Sequence, residues 1–239
     1  FTAYFSRGLS YFSMNRLDLA ISDFDRTIQL NPQYANAYAR RGYAYYFLDQ
    51  LDLAVQDLSI AIQLDPSISL AYGIRASIYS FWGEYSLALQ DLNKSIELDK
   101  SSVESYSSRG SVYRLLKQYD KAIEDYSKAI QLDPNNINLY DARGDLYQEN
   151  GQYDLAIQDF TTVINMGHKN AFMFYKRAMA YLKAGNFELA LQDFSMAIEF
   201  DPKNAYYYHF RSQTYQALGR TSEAEADSKK YEELKGQEP

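Results

Sequence analysis

Apolar and polar residues follow one another with a helical spacing that restarts every 34 residues. Shifted on itself by that period, the chain repeats seven times with no insertion: 1–34, 35–68, 69–102, 103–136, 137–170, 171–204 and 205–239. Within each period, positions 4, 7/8 and 11 share one face of a first helix. Positions 17, 20/21, 24 and 27/28 share one face of a second. A turn near positions 14–16 divides them and often carries glycine, as at Gly83, Gly151, Gly185 and Gly219. Four second helices run out at Pro32, Pro66, Pro134 and Pro202, where proline excludes its predecessor from the helical region. Each period therefore predicts an antiparallel helix pair, and the chain is expected to be all-α.

Single columns of the period sharpen the picture. Position 11 reads Tyr11, Tyr45, Tyr79, Tyr113, Tyr147, Tyr181 and Tyr215, and position 20 is alanine throughout. Position 8 is always small: Gly8, Gly42, Ala76, Gly110, Gly144, Ala178 and Ser212. Positions 4 and 24, 8 and 20, and 11 and 17 are expected to lie level across the hairpin, so Gly8 facing Ala20 would let two backbones approach. The last second helix has Ser228 where other periods carry Phe, Tyr or Leu at position 24. That reads as a polar cap. Period 5 departs at its end, Asn165-Met166-Gly167-His168 replacing Leu-Asp-Pro, which predicts a local change before period 6.

Two charged columns run the length of the chain. Position 7 is Arg7, Arg41, Arg75, Arg109, Arg143, Arg177 and Arg211; position 23 is Asp23, Asp57, Asp91, Asp125, Asp159, Asp193 and Asp227. An arginine ladder could capture anions. A matched carboxylate in every period instead predicts structural ion pairs, within or between periods, in which the guanidinium fork fits the carboxylate.

This pattern resembles the tetratricopeptide repeat family over the whole chain. The resemblance implies an α-solenoid in which seven hairpins stack as one domain, 1–239, in a right-handed superhelix. In the family, first helices line a concave groove and second helices the convex back; one hairpin cannot bury its own apolar face, so neighbours must stack on it. In the family, positions 2, 5, 9, 12 and 13 face that groove. The candidate partner-binding residues are then Phe5, Leu9, Phe12, Tyr43, Tyr46, Phe47 and Phe81, an acidic middle of Glu104, Asp141, Asp145 and Glu149, and finally Phe172, Tyr175, Met179 and Tyr206. Exposed aromatics favour protein contact, and the acidic middle favours a basic stretch. Some of these aromatics could equally be core. Family members that clamp the C-terminal carboxylate of heat-shock chaperones need Lys and Asn at positions 5 and 9. Here Phe5 and Leu9 stand there, and no later window supplies the clamp.

Composition narrows the function. Hydrophobic residues make up 46% of the 239, and net charge is −7 with pI near 4.9, which argues against disorder and against phosphate-backbone binding. No apolar run approaches the roughly 20 residues that span a bilayer. No secretory signal opens the chain, leaving a soluble, cytoplasmic protein as the default. With no cysteine, thiolate metal sites are absent. His168 and His209 are not at metal-ligand spacing, neither has a nucleophile poised beside it, and no phosphate-binding loop is present. Asp141 and Asp145, one turn apart, read as a solvated acidic face rather than a carboxylate dyad. The chain is expected to be no enzyme and to need no cofactor or metal.

Its expected partner is a protein or peptide with a basic or aromatic stretch, held by an adaptor or scaffold. The alternatives are the recognition arm of a larger enzyme, or self-association through the uncapped aromatic N-terminal end. The start at Phe1 suggests that the chain continues upstream.

Overall fold

The computed structural model describes residues 1–236. It contains fourteen α-helices and no strand among the described residues, an all-α helical repeat architecture. The chain divides into two compact units, Phe1–Gln118 and Tyr119 onward. The first holds α1 (Thr2–Ser13), α2 (Leu17–Leu30), α3 (Ala35–Phe47), α4 (Leu51–Leu64), α5 (Ser69–Phe81), α6 (Tyr85–Leu98) and α7 (Val103–Leu115). The second holds α8 (Tyr119–Leu132), α9 (Ile137–Glu149), α10 (Tyr153–Asn165), α11 (Ala171–Lys183), α12 (Phe187–Phe200), α13 (Ala205–Ala217) and α14 (Thr221–Lys235). In each unit a helix packs on the next along the chain. In the first, the odd-numbered helices also touch in sequence, α1 with α3, α3 with α5 and α5 with α7.

The hairpin turn is set at position 15 of every repeat. Asn15, Asp49, Gly83, Lys117, Gly151, Gly185 and Gly219 all take positive φ, between 56° and 80°. A left-handed residue there reverses the chain, and the next amide bonds back to the carbonyl at position 11, as Arg16 does to Tyr11 and Gln152 to Tyr147. Lys117 is the costly member, since an L side chain with a Cβ loses about 1–2 kcal/mol in this region. Between repeats, the Asx side chain accepts from the amide two residues on: Asn31 from Gln33, Asp65 from Ser67, Asp99 from Ser101, Asp133 from Asn135 and Asp201 from Lys203. This fixes the turn before the next helix. After repeat 5, α10 ends one residue early and Gly167 takes φ 103° to make the turn instead.

The core follows the columns. The position-20 alanines are buried throughout, and Phe24, Leu58, Phe160 and Phe194 at position 24 are fully enclosed. Burying each of these larger side chains is worth about 1.5–3 kcal/mol. Position 8 faces position 20 as expected, a Cβ built on Gly42 falling 3.1 Å from the Ala54 carbonyl, and it also faces position 24. A Cβ built on Gly8 would fall 2.7 Å from the Phe24 ring, and one on Gly144 2.6 Å from the Phe160 ring. Each Cα–Cβ bond tilts toward the start of its own helix. In an antiparallel pair this offsets facing side chains by about a turn, so position 8 makes room for position 24. At the C-terminal end the same contact is polar: Ser212 shares a 2.8 Å hydrogen bond with Ser228 and donates to the Ala224 carbonyl at 2.8 Å. No helix of the described residues is long and apolar enough to cross a membrane.

Candidate partner-binding face

The arginine and aspartate columns hold the hairpins in register. In six repeats the arginine Nε and Nη2 donate to the two oxygens of the aspartate sixteen residues on, at 2.6–2.8 Å. These are Arg7–Asp23, Arg41–Asp57, Arg75–Asp91, Arg143–Asp159, Arg177–Asp193 and Arg211–Asp227. The third nitrogen, Nη1, reaches back to position 25 of the preceding repeat at 2.6–3.1 Å. It finds Asp25 from Arg41, Ser59 from Arg75, Asn93 from Arg109, Ser127 from Arg143, Thr161 from Arg177 and Ser195 from Arg211. Each guanidinium also lies 5.4–6.0 Å from the ring centroids at positions 4 and 11, as Arg143 does between Tyr140 and Tyr147. The hydrogen bond to aspartate holds the guanidinium pKa of Arg75, Arg143, Arg177 and Arg211 above its ordinary value. One arginine thus ties two helices of its own repeat to the repeat before. Arg7, in the first repeat, keeps 57% of its side chain exposed, against 15–19% for Arg41, Arg75, Arg143, Arg177 and Arg211. Arg109 and Asp125 stand in different compact units.

The aromatic candidates divide. Phe12, Tyr43, Tyr46 and Phe47 form one cluster on α1 and α3, with centroids 4.8 Å apart for Tyr43–Phe47 and 5.1 Å for Phe12–Tyr43. Phe47 is exposed, and Phe81 on α5 is 77% exposed. Leu9 is half-buried on α1. Phe5 is drawn into packing against Phe24 and Tyr34, at 5.8 and 5.0 Å. In the second unit Phe172 and Tyr206 are exposed. Tyr175 and Met179 pack into the core around Phe194, and burial pushes the Tyr175 phenol pKa up.

Two of the acidic candidates already share a cation. Lys176 Nζ donates to Asp141 at 2.7 Å and to Asp145 at 2.9 Å. The same ammonium lies 5.1 Å from the Phe172 centroid and 5.5 Å from that of Phe160. An internal lysine therefore already occupies the place expected for a ligand's basic residue. Glu104 and Glu149 are exposed. Among the described residues no group of three or more His, Cys, Asp or Glu is placed to hold a metal ion.

One hollow stands out in the first unit, between repeats 3 and 4, with a volume of about 550 Å³. Its apolar wall is Tyr43, Tyr46, Leu70, Ile74 and Leu92. Its floor is a hydroxyl chain: Ser69 Oγ lies 2.9 Å from Ser95 Oγ, which lies 2.8 Å from Ser105 Oγ, which lies 2.9 Å from Ser102 Oγ. Gly73, Asp99 and Glu104 complete it. Neither these serines nor Lys176 emerged from the sequence pattern. The available signal was the absence of any large side chain at Gly73, Ser105 and Ser108 together, where repeats 6 and 7 carry Tyr175, Tyr207 and Phe210.

Paired helices stacked in register, with one side-chain face left open, define a helical repeat protein. A tetratricopeptide repeat model matches residues 35–68, 70–102, 137–166 and 205–238, another matches 171–204, and a TPR repeat model matches 8–49 and 110–151. The chain belongs to the tetratricopeptide repeat family. It is similar in structure to the C-terminal part of a TPR repeat-containing protein from Cytophaga hutchinsonii, with TM-score 0.81 and 20% identity over 98% of this chain and 96% of that one. YrrB, described as a TPR protein with an unusual peptide-binding site, aligns with TM-score 0.72 and 23% identity over 79% of this chain and 97% of its own. MamA aligns with TM-score 0.61 and 26% identity over 68% and 95%. No curated protein matches by sequence.

Proposed function

We propose that this chain is a protein-interaction module that holds a segment of a partner protein against its first-helix face. The observation that carries this is the contiguous aromatic surface of Phe12, Tyr43, Tyr46 and Phe47, with exposed Phe81 one repeat beyond Phe47. Large exposed aromatics cost solubility and are retained where they meet a partner, and aromatic side chains dominate binding energy at such surfaces. The arginine forks supply a rigid base, so little ordering is left to oppose binding. Peptide binding by YrrB, a protein of like fold, supports the reading. The partner's own charge is selected less by Asp141 and Asp145, which share Lys176 and keep one net negative charge between them, than by Glu104.

The test is affinity capture with the purified protein and with the Phe47→Ser, Phe81→Ser double variant. Both positions are solvent-facing, so the variant folds. The proposal expects a defined protein set on the wild type that the variant loses at least tenfold. The same set on both, or nucleic acid alone, contradicts it.

A further inference from the structure

We infer that the hollow between repeats 3 and 4 is a socket for a tyrosine side chain of the bound segment, with a basic residue beside that tyrosine facing Glu104. This rests on the segment-binding reading above and adds which side chain is gripped and where.

The molecule carries its own template for the occupant. Three repeats on, the positions of Gly73, Ser95, Ser105 and Ser108 are taken by Tyr175, Ala197, Tyr207 and Phe210. There the Tyr175 ring fills the gap, with centroids 5.4 Å from Tyr207, 5.7 Å from Phe210 and 6.3 Å from Phe194. Between repeats 3 and 4 the ring is missing and the space remains.

Gly73 is not demanded by its backbone. Its φ is not positive, and an added Cβ would meet only Ser95 Oγ at 3.5 Å and Ser105 Oγ at 3.9 Å, ordinary contacts. Gly8, Gly42 and Gly144 differ: a Cβ there would come within 2.6–3.0 Å of a neighbour. A mid-helix glycine weakens its helix, so Gly73 gives up stability and gains only room.

The lining suits a phenol better than a plain ring. Tyr43, Tyr46, Leu70, Ile74 and Leu92 offer apolar and aromatic contact. Ser95 and Ser105 are buried on the floor. Ser95 Oγ is already within bonding distance of the Ser69 carbonyl, Ser69 Oγ and Ser105 Oγ. Among the described residues Ser105 Oγ meets only Ser95 and Ser102 Oγ, so of the one proton and two lone pairs of a hydroxyl Ser105 keeps one place for a phenol. A tyrosine presents an apolar body and a polar tip to this arrangement. A phenylalanine would cover the serines and return no hydrogen bond. Asp99 and Glu104 line the same hollow. Asp99 is engaged by the Ser101 amide and hydroxyl, which leaves Glu104 as the carboxylate that meets the basic neighbour.

The test is a titration of the 239-residue protein with N-acetyl-tyrosinamide and N-acetyl-phenylalaninamide, followed by amide chemical shifts. The inference expects shifts at Gly73, Ser95 and Ser105, with tyrosine severalfold tighter than phenylalanine. Gly73→Tyr supplies the ring internally and is expected to weaken the tyrosine probe at least tenfold while helicity is unchanged. Ser108→Phe fills the hollow from its other wall and serves if the first variant folds poorly. Ser105→Ala is expected to erase the preference for tyrosine. Absence of shifts at these residues, or equal probe binding by the filled variants, overturns the socket. A wild type that captures partners through Phe47 and Phe81 yet gives no tyrosine shift overturns the socket alone. A wild type that gives the shift but captures no partner overturns the segment-binding reading, and with it the partner origin of the tyrosine.

Discussion

Two junctions in the molecule share one backbone plan and differ in what fills it. Between repeats 6 and 7, Tyr175, Tyr207 and Phe210 close the gap, and Phe194 stacks on Phe210 with centroids 6.3 Å apart. Between repeats 3 and 4, glycine and serines stand at those positions and leave about 550 Å³ open. The helix ends match at both, Arg75 and Arg177 make the same fork to Asp91 and Asp193, and Gly83 and Gly185 make the same left-handed turn. The difference teaches that the framework columns fix the hairpin. Positions 3, 5 and 6 then decide whether a junction is filled or hollow. A repeat protein can carry this choice locally because each repeat contacts only its neighbours.

The filled junction should be far more sensitive to truncation. Tyr207→Ser makes it resemble its counterpart at Ser105 and is expected to cost about 3–5 kcal/mol in urea unfolding, as for other large aromatic losses from a core. A cost under 1 kcal/mol would erase the distinction. The shared framework should be equally unforgiving at both ends. Asp159→Ala strands Arg143 and is expected to cost about 3–5 kcal/mol, while the double change Arg143→Met, Asp159→Leu costs less. Equal unfolding free energies for these two variants would count against the fork as a matched pair.

The glycines separate next. Gly144→Ala drives a methyl into the Phe160 ring and is expected to cost about 1–3 kcal/mol. Gly73→Ala meets only ordinary contacts and is expected to gain about 0.5–1 kcal/mol from helix propensity. Thermal melts of the pair should move in opposite directions; a shared sign would show that Gly73 is also held by packing.

The smallest expected effect is alkaline. Burial raises the phenol pKa of Tyr175 and Tyr207, so the fold favours their protonated form. Their contribution is fully present below the unfolded value of about 10 and is lost as pH rises through the folded value. Stability of the second unit should therefore fall as pH rises above about 10, and Tyr175→Phe with Tyr207→Phe should blunt that fall. An unchanged pH profile would remove burial of these phenols from the account.

Most of the fold was legible because its determinants recur at a fixed spacing. Helices, turns, the Arg–Asp columns and Ser228 each appear in a column that can be read seven times or against six others. The candidate face was less legible because its residues are the ones that vary. Phe5 and Tyr175 occupy the same nominally groove-facing position, yet both are pulled into packing, by Tyr34 and by Phe210. Asp141 and Asp145 read as open carboxylates because Lys176, more than thirty residues on, closes over them only once α9 and α11 are side by side. The serine chain had no single signature: each hydroxyl is ordinary in its own column, and only their meeting in space makes a floor.

The claim that side-chain volume alone separates pocket from core is tested most directly by a crystal structure of Gly73→Tyr. The account predicts that the introduced ring lies over Ser95 and Ser105, in the place that Tyr175 takes three repeats on, with the α5 backbone unmoved. A ring turned into solvent, or α5 displaced from α6 and α7, would contradict it.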